Sequence, residues 1–388
     1  MILFLIASGI LMIPLGCYLY FIIKRMTGVL FKSRQTGRHK IIAAAAAVAI
    51  TVPCVNLFGL WAVVVLYFTG ISVCLDFIFW VVRKILHISR VRSDDKPGGK
   101  CNKICDTAYR SGCIAIIVTV VVIGYAYVNM HHVQVASYTV TPPAEKEIRA
   151  EGYRIVFVSD LHFGTTMEVQ QLETYCRRMQ EEKPDLVVLG GDIVDESATL
   201  AQLQQAFGTL SQIDSTFGTY YVYGNHDKGR YSQNCDFTEQ ELQQAIWDSG
   251  INILEDDTIM LNQELSISGR MDRSVAAMNG VMRTEASQLL KDIPEEAFHI
   301  LVDHQPRDME EAAAAGYDLM LSGHTHAGQM WPVGLITSLF DKSTFNYGKK
   351  AYGTMHLIVS SGIGGWGYPL RTGKHCEYVV IKVKNWEH

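Results

Sequence analysis

The chain has 388 residues, enough for more than one domain, and its charge is divided unevenly along its length. Residues 1–130 contain 14 Lys and Arg, four Asp and no Glu, whereas residues 131–388 contain 20 Lys and Arg against 35 Asp and Glu. The resulting net charges of +10 and −15 predict a membrane domain followed by an acidic, water-soluble domain. Binding to a nucleic-acid backbone needs a basic face, so the acidic domain argues against nucleic acid as a partner.

Residues 1–130 are predicted to form a membrane domain with about four transmembrane helices. A spanning helix needs roughly 20 apolar residues, and residues 41–82 carry a single charge, Asp76, over 42 positions. That run is too long for one span and suits two, with a tight turn near residues 56–59. The predicted spans are residues 2–23, 41–60, 62–82 and 112–130. The first segment lacks the basic start of a cleaved signal peptide, so an uncleaved span is favoured.

The orientation of this membrane domain follows from its basic loops. Six Lys and Arg lie between the first two spans and eight between the last two, whereas the turn between spans two and three has none. The positive-inside rule places both basic loops in the cytoplasm and residues 131–388 on the outer side of the cell membrane. Asp76, inside the third span, is either a functional acid or a residue packed against a polar neighbour such as Ser72 or Asn56.

Residues 131–152 are predicted to be a linker with the first strand, and residues 153–388 a soluble domain. Apolar runs that end at turn residues predict strands, and amphipathic stretches between them predict helices. The predicted strands cover residues 153–158, 185–189, 218–223, several short strands within 251–269, 299–302, 318–321, 355–360 and 376–384. The predicted helices cover residues 168–182, 199–212, 238–249 and 312–315. This alternation indicates an α/β sheet with helices on its faces.

Five polar clusters each follow or end a predicted strand of this domain, and they are residues 159–162, 190–195, 224–227, 303–304 and 323–326. Ligands of an α/β sheet bind beyond the carboxyl ends of its strands, so the five clusters are expected to meet there. Carboxylate, amide and imidazole groups suit divalent metals, and seven such side chains are enough for two ions. Two metals in turn indicate phosphoryl chemistry.

Asp192 and one free histidine are expected to have distinct chemical roles. Asp192 follows Gly190 and Gly191, which allow a close backbone approach, so it is the natural carboxylate to bridge two cations. A hydroxide held between two metals is a nucleophile at neutral pH. The leaving oxygen needs a proton, which suits a histidine that holds no metal and is oriented by a carboxylate.

The five blocks, in this order, resemble those of the calcineurin-like metallophosphoesterase superfamily over residues 150–384. The residues at 159–162, 303–306, 321–329 and 360–364 resemble those of a branch that includes bacterial membrane-associated phosphodiesterases and transmembrane proteins with a metallophosphoesterase domain. The resemblance implies a four-layer αββα sandwich with two divalent ions. The sequence does not identify these metals, because Mn, Fe, Zn, Ni and Co all tolerate this mix of ligands.

The same resemblance implies the role of each site residue. The first metal would be held by Asp160, His162, Asp192 and His326, and the second by Asp192, Asn225, His304 and His324. His226 would be the general acid, and Asp195 the residue that orients it.

The expected activity is hydrolysis of a phosphodiester or pyrophosphate bond by a membrane-anchored enzyme. Its tether to the membrane favours a lipid-linked or cell-envelope substrate. Arg270 and Arg371 are candidates to bind the substrate phosphate. The apolar segments 330–336 and 363–371 are expected either to contact lipid or to pack as loops.

Three alternatives to this activity stay open at the level of sequence. They are a UDP-diacylglucosamine-type lipid pyrophosphatase, a phosphoprotein phosphatase, and a non-catalytic membrane sensor or scaffold that retains the fold. The outward orientation disfavours the first two, and the complete set of ligands disfavours the third. The oligomeric state is not determined by the sequence.

Overall fold

The computed structural model describes residues 2–30, 37–57, 59–92, 100–146, 148–232 and 234–385. The chain divides into two compact units, Met1–Tyr125 and Ala126–His388. The first unit is helical. Its helices are α1 (Ile2–Leu30), α2 (Gly37–Thr51), α3 (Leu60–Arg92), α4 (Lys100–Arg110) and most of α5 (Cys113–Met130), with a short 3₁₀ turn at Val52–Val55.

Among the described residues, three helical segments are long and apolar enough to cross a membrane, rather than the four predicted. They are Gly37–Val55, Leu60–Ile85 and Cys113–Met130, and they match the second, third and fourth predicted spans. The first predicted span, residues 2–23, is helical, but the side chains of residues 2–8 lie outside the described part. This segment is therefore not among the three candidate spans of the described residues.

The prediction that residues 131–388 lie outside the cell rests on the two basic loops. Residues 31–36 and 93–99, which form much of these loops, lie outside the described residues. The orientation of the protein in the membrane therefore stays a prediction.

Asp76 of α3 joins three helices of the first unit. It accepts hydrogen bonds from the hydroxyl groups of Tyr18 at 2.8 Å and Tyr109 at 2.5 Å, and it forms an ion pair with Arg25 at 2.6 Å. Tyr18 and Arg25 belong to α1, whereas Tyr109 belongs to α4. Packing partners for Asp76 thus come from distant parts of the chain, and not from the nearby polar residues that the sequence suggested.

The second unit consists of two six-stranded mixed sheets with helices. Its strands are β1 (Val133–Val140), β2 (Tyr153–Val158), β3 (Leu186–Leu189), β4 (Thr219–Tyr221), β5 (Asn252–Ile253), β6 (Asp257–Met260), β7 (Leu265–Gly269), β8 (Phe298–Val302), β9 (Leu319–Ser322), β10 (Gly348–Tyr352), β11 (Met355–Val359) and β12 (Cys376–Val383). Its helices are α6 (Val169–Glu181), α7 (Leu200–Leu210), α8 (Glu239–Asp248), α9 (Arg273–Asn279), α10 (Ala286–Leu289), α11 (Met309–Ala315) and α12 (Val333–Phe340).

The strand order is β1–β12–β2–β3–β4–β5 in the first sheet and β10–β11–β9–β8–β7–β6 in the second. Strands β2 to β5 run parallel to one another, as do β7, β8, β9 and β11. The carboxyl ends of the parallel strands in each sheet therefore meet at one edge. The predicted α/β class is confirmed, and every predicted strand and helix of this part is present, within a few residues at its ends.

Apolar clusters on both faces of β2 explain why parallel strands read as continuous apolar runs. Ile155 and Phe157 belong to a cluster that also contains Ile267 of β7 and Ile300 of β8, so this cluster joins the two sheets. Val156 and the rest of the opposite face of β2 pack in a second cluster, with residues of α6, α7 and α8. Because successive side chains of a strand point to opposite faces, a strand buried on both sides needs apolar residues throughout.

Replacing Asp76 by Ala is expected to destabilise the first unit, because the Arg25 guanidinium and two tyrosine hydroxyls lose their shared acceptor. We expect a loss of about 1–3 kcal/mol, measured by thermal unfolding of the full chain in detergent. Asp106→Ala is the matched control, since its partners Arg83 and Arg110 are exposed, and it should cost less than about 1 kcal/mol. Equal losses in the two variants would contradict the role of Asp76.

Candidate metal centre

The predicted ligands lie in loops that follow strands of both sheets. Asp160 and His162 follow β2, Asp192 follows β3, Asn225 and His226 follow β4, His304 follows β8, and His324 and His326 follow β9. All five strands end at the edge where parallel strands present their carboxyl ends. The polar clusters, which are far apart in the sequence, are thereby brought to one place.

The side chains form two compact groups. The first is Asp160, His162 and His326, and the second is Asp192, His304 and His324; in each group one ligand atom per residue lies within 4.8 Å of the others. The Nε2 atoms of His162 and His326 are 3.2 Å apart, so two imidazoles converge on the same point. Convergence of a carboxylate and two imidazoles is the arrangement of a divalent metal site.

Asp192 of the second group also lies close to the first group, and Asn225 adds to the second. Asp192 Oδ2 lies 3.0 Å from His304 Nε2 and 3.8 Å from His162 Nε2, so one carboxylate contacts a histidine of each group. The side-chain oxygen of Asn225 is 2.8 Å from Nδ1 of His324 and belongs with the second group. All seven predicted metal ligands therefore lie together, with Asp192 between the two groups.

Buried carboxylates at this centre fit divalent ions. Asp160 is fully buried, and its Oδ2 atom has no hydrogen-bond partner among the described residues. Burial raises the pKa of Asp160. Burial alone would also raise the pKa of Asp192, but the charges of His304, His226 and His162 outweigh it and hold this pKa well below its ordinary value. An unpaired buried carboxylate oxygen is costly unless a cation neutralises it.

The histidines of the centre differ in their charge. Burial lowers the pKa of His324 to about 3 and the pKa of His326 well below its ordinary value, so both are neutral, which is the form that binds metal. Burial alone would lower the pKa of His304 too, but the charge of Asp192 outweighs it and raises this pKa well above the ordinary value. The Asp192 carboxylate therefore favours a positive charge beside it.

The loops that carry the ligands have an unusual backbone. Five of the seven predicted ligands have positive φ angles, and they are Asp160 (54°), His162 (44°), Asp192 (52°), His324 (68°) and His326 (49°). A left-handed residue other than glycine costs about 1–2 kcal/mol, so packing elsewhere must hold these loops. Part of that packing is close contact with glycine: a Cβ on Gly224 would lie 2.5 Å from the amide nitrogen of Asp192.

His226 lies beside the two groups and bonds a residue that the sequence did not single out. Its Nδ1 atom donates to Glu196, at 2.9 Å from Oε1 and 3.0 Å from Oε2. Burial alone would lower the pKa of His226, but the hydrogen bond to Glu196 and the charge of Asp192 raise it to about 9. The predicted partner, Asp195, instead lies 3.2 Å from Nδ1 of His162. Adjacent carboxylates at 195 and 196 were the only sequence signal for this pairing.

Asp227 is a second residue with a role that the sequence did not reveal. Its buried carboxylate accepts backbone N–H bonds from Asp192 at 2.7 Å, Ile193 at 2.8 Å and Gly224 at 2.6 Å. These bonds connect the loop after β3 to the loop after β4. Its position in the block 224–227 indicated a polar role, but only the fold shows that it holds the backbone.

A comparison of the sequence with protein families gives the same assignment as the geometry. Residues 153–328 match the family described as calcineurin-like phosphoesterase. The second unit therefore contains a calcineurin-like phosphoesterase domain. Phosphoesterases of this family use a two-metal centre, and the two Asp and His groups are able to hold one.

Curated relatives extend the match beyond this phosphoesterase domain. An uncharacterized metallophosphoesterase of Aquifex aeolicus is 27% identical over 270 residues, which are 69% of this chain and 98% of the relative. A "Transmembrane protein with metallophosphoesterase domain" of Danio rerio is 27% identical over 325 residues, 81% of this chain and 72% of the relative. "Phosphodiesterase YaeI" of Escherichia coli is 26% identical over 242 residues, 60% of this chain and 83% of the relative. These similarities support a hydrolase that acts on phosphoric ester bonds.

The two arginines predicted to bind substrate are both buried in the phosphoesterase domain. Arg371 donates to the backbone carbonyls of His326 at 3.2 Å, Ser361 at 3.0 Å and Gly364 at 2.7 Å, so it supports the loop of a predicted ligand. Arg270 bonds Glu311 at 2.9 Å. Neither guanidinium is exposed. The contacts of Arg371 give it a structural role, and the contact of either arginine with substrate stays a prediction.

The close packing of Gly224 against Asp192 generates a stability prediction. Gly224→Ala is expected to destabilise the phosphoesterase domain by about 1–3 kcal/mol and to lower its metal content, because the added methyl group displaces the Asp192 loop. Gly208→Ala in α7 is the matched control: a Cβ there meets no atom within 4 Å, and it should stabilise the helix by up to about 1 kcal/mol. Thermal unfolding and elemental analysis of bound metal measure both effects, and unchanged values in Gly224→Ala would contradict this account.

Proposed function

We propose that the protein is a membrane-anchored two-metal phosphoesterase that hydrolyses a phosphodiester or pyrophosphate bond. The observation that carries this proposal is the pair of Asp and His groups that meet at Asp192, with His226 beside them but outside both. Three apolar clusters of the second unit also support the four-layer αββα arrangement that the resemblance implies. One lies between the two sheets, and each of the other two joins helices to one sheet.

The residues present suit two ions. In this proposal one ion is held by Asp160, His162, Asp192 and His326, and the other by Asp192, Asn225, His304 and His324. When bound, the ions supply a water of lowered pKa and offset the negative charge of the phosphoryl oxygens. The protein orients the ligands through further contacts, since Nδ1 of His162 faces Asp195 at 3.2 Å and Nδ1 of His304 donates to the carbonyl oxygen of Gly190 at 2.8 Å.

His226 is proposed as the general acid that protonates the leaving oxygen. Its Nδ1 atom is engaged by Glu196, which leaves Nε2 as the atom that transfers the proton. A carboxylate on the far nitrogen fixes the ring orientation and tautomer of an acid–base histidine. Glu196, rather than the predicted Asp195, is therefore proposed as the orienting residue.

We further propose that the substrate is lipid-linked or part of the cell envelope and that it lies on the outer side of the cell membrane. The support for this is the three candidate membrane spans, the placement of the basic loops in the sequence, and relatives named as a transmembrane protein and as a phosphodiesterase. A nucleotide-activated lipid or a phosphoprotein would be met in the cytoplasm, so the proposed orientation argues against those alternatives.

The full chain in detergent is expected to hydrolyse bis(p-nitrophenyl) phosphate with Mn²⁺ or another divalent metal, and a chelator should abolish the activity. Asp192→Asn should lower kcat/KM by about a thousandfold or more and reduce the bound metal, because it removes the carboxylate shared by both groups. Asp248→Asn, an exposed carboxylate of α8, is the control and should retain activity. Absence of turnover with every divalent metal tested would refute the proposal.

The choice of leaving group distinguishes a role of Glu196 in proton transfer from an effect on metal binding. A p-nitrophenolate leaves without a proton, whereas an alkoxide requires one, so Glu196→Gln should lower kcat about 10- to 100-fold for an alkyl phosphodiester and less than about threefold for bis(p-nitrophenyl) phosphate. Asp195→Asn is the matched comparison and should affect both esters equally, through His162 and the metal. Equal losses on both esters for Glu196→Gln would show that it does not serve the general acid.

A further inference from the structure

The segment after the last metal-binding motif carries a cluster of exposed apolar side chains. Helix α12 has no buried residue, and no charged residue lies between Gln329 and Asp341. The exposed side chains, here named the α12 patch, are Trp331, Val333, Leu335, Ile336, Leu339 and Phe340. Trp331 is 63% exposed and Phe340 is 85% exposed.

This concentration is unusual for a surface that faces water. Of the twelve large apolar side chains beyond residue 130 that are exposed among the described residues, six belong to the α12 patch. Single exposed apolar residues are common, but a contiguous group indicates an interaction site. A helix that leaves its whole apolar surface uncovered gains no stability from that surface until something apolar contacts it.

Hydrogen bonds connect the α12 patch to the end of a candidate membrane span. The backbone nitrogen of Trp331 donates to Oγ1 of Thr372 at 2.8 Å. The neighbouring Arg371 donates its backbone N–H to the carbonyl oxygen of Ala126 at 3.0 Å, and Asn129 donates to the carbonyl oxygen of Arg371 at 3.0 Å. Ala126 and Asn129 lie in the last turns of α5, so the patch lies beside the point where this span ends.

The α12 patch is also continuous with the metal centre. The 3₁₀ turn at His326–Gly328 contains a predicted ligand and is followed directly by the patch. A Cβ on Gly328 would clash with the backbone of Gly334, so the first turn of α12 packs tightly on the ligand loop. Whatever binds the patch is therefore brought next to the metal centre.

The charges around the patch suit a phospholipid surface. Lys342 is exposed and directly follows the patch in sequence. The nearby acid, Asp341, is paired with Arg307 at 2.7 Å. An uncharged apolar helix followed by an exposed lysine suits a segment that lies in the interface of a bilayer and faces lipid phosphates.

We propose that the α12 patch inserts into the surface of the bilayer that α5 enters, as a second membrane contact of the phosphoesterase domain. This contact holds the metal centre at the level of the lipid headgroups. The consequence for substrate rests on the proposed function: the phosphoester is taken from a lipid in the same membrane. The membrane contact itself does not depend on catalysis.

Tryptophan quenching in the full chain tests the contact directly. The protein is reconstituted in phosphatidylcholine nanodiscs with or without brominated acyl chains. The emission of Trp331 is obtained by subtracting the emission of Trp331→Phe from that of the wild type. We expect brominated lipid to quench that component by about half or more, because an interfacial indole reaches the bromine atoms. Trp247→Phe is the matched control: Trp247 is 55% exposed on α8, and its component should not be quenched. An unquenched Trp331 component overturns the proposal, including the case in which patch variants instead change the oligomeric state.

Activity measurements test the consequence for the substrate. The double variant Leu339→Glu with Phe340→Glu should lower hydrolysis of a lipid phosphodiester in the same nanodisc about tenfold and leave bis(p-nitrophenyl) phosphate unchanged. Met282→Glu is the control, since Met282 is 93% exposed outside the patch, and it should affect neither ester. An unchanged rate on the lipid ester overturns the membrane substrate. Failure of the wild type to hydrolyse either ester refutes the proposed function, while the quenching result still decides the membrane contact.

Discussion

The contact between Asp192 and His304 is the constraint on which the centre depends. Asp192 follows a strand of the first sheet and His304 a strand of the second, and the two side chains are 3.0 Å apart and buried. The other carboxylate oxygen of Asp192 accepts the backbone N–H of His226 at 2.8 Å. One carboxylate thus connects three loops, and its burial is tolerated only because positive charge and N–H donors surround it.

The backbone around this contact is strained, and buried polar groups hold it in place. Asp227 accepts bonds from four backbone amides of two loops, and Gly224 leaves room for the Asp192 loop. Left-handed backbone at five predicted ligands would relax in isolation. Two sheets packed through a shared apolar cluster supply the rigid support that keeps the ligands converged. Because the predicted ligands are already held close together, binding of a metal does not have to order these loops, which favours the affinity for metal.

The end of α5, a candidate membrane span, is joined to the phosphoesterase domain by a very short segment and by hydrogen bonds. Only His131 and His132 separate the end of α5 from the start of β1. Hydrogen bonds from α5 to the loop at 371–373, and from that loop to Trp331, continue this connection towards the metal centre. The end of α5 is therefore bonded to the same loops that support a predicted ligand, His326.

The sequence by itself determined the α/β class, the strands, the family resemblance and the seven converging ligands, because these depend on local apolar runs and on motifs at strand ends. Three features depended on distant contacts and were decided only by the tertiary structure. Glu196 hydrogen-bonds His226, and the adjacent Asp195 lies near both His226 and His162, a distinction that the sequence of two neighbouring carboxylates does not contain. Arg371 is buried against backbone carbonyls, a set of contacts that its sequence position did not indicate. Helix α12 has no buried residue and leaves most of its apolar side chains exposed. The sequence of an apolar segment is the same whether it is buried or exposed, so only the packing of the other elements could reveal this.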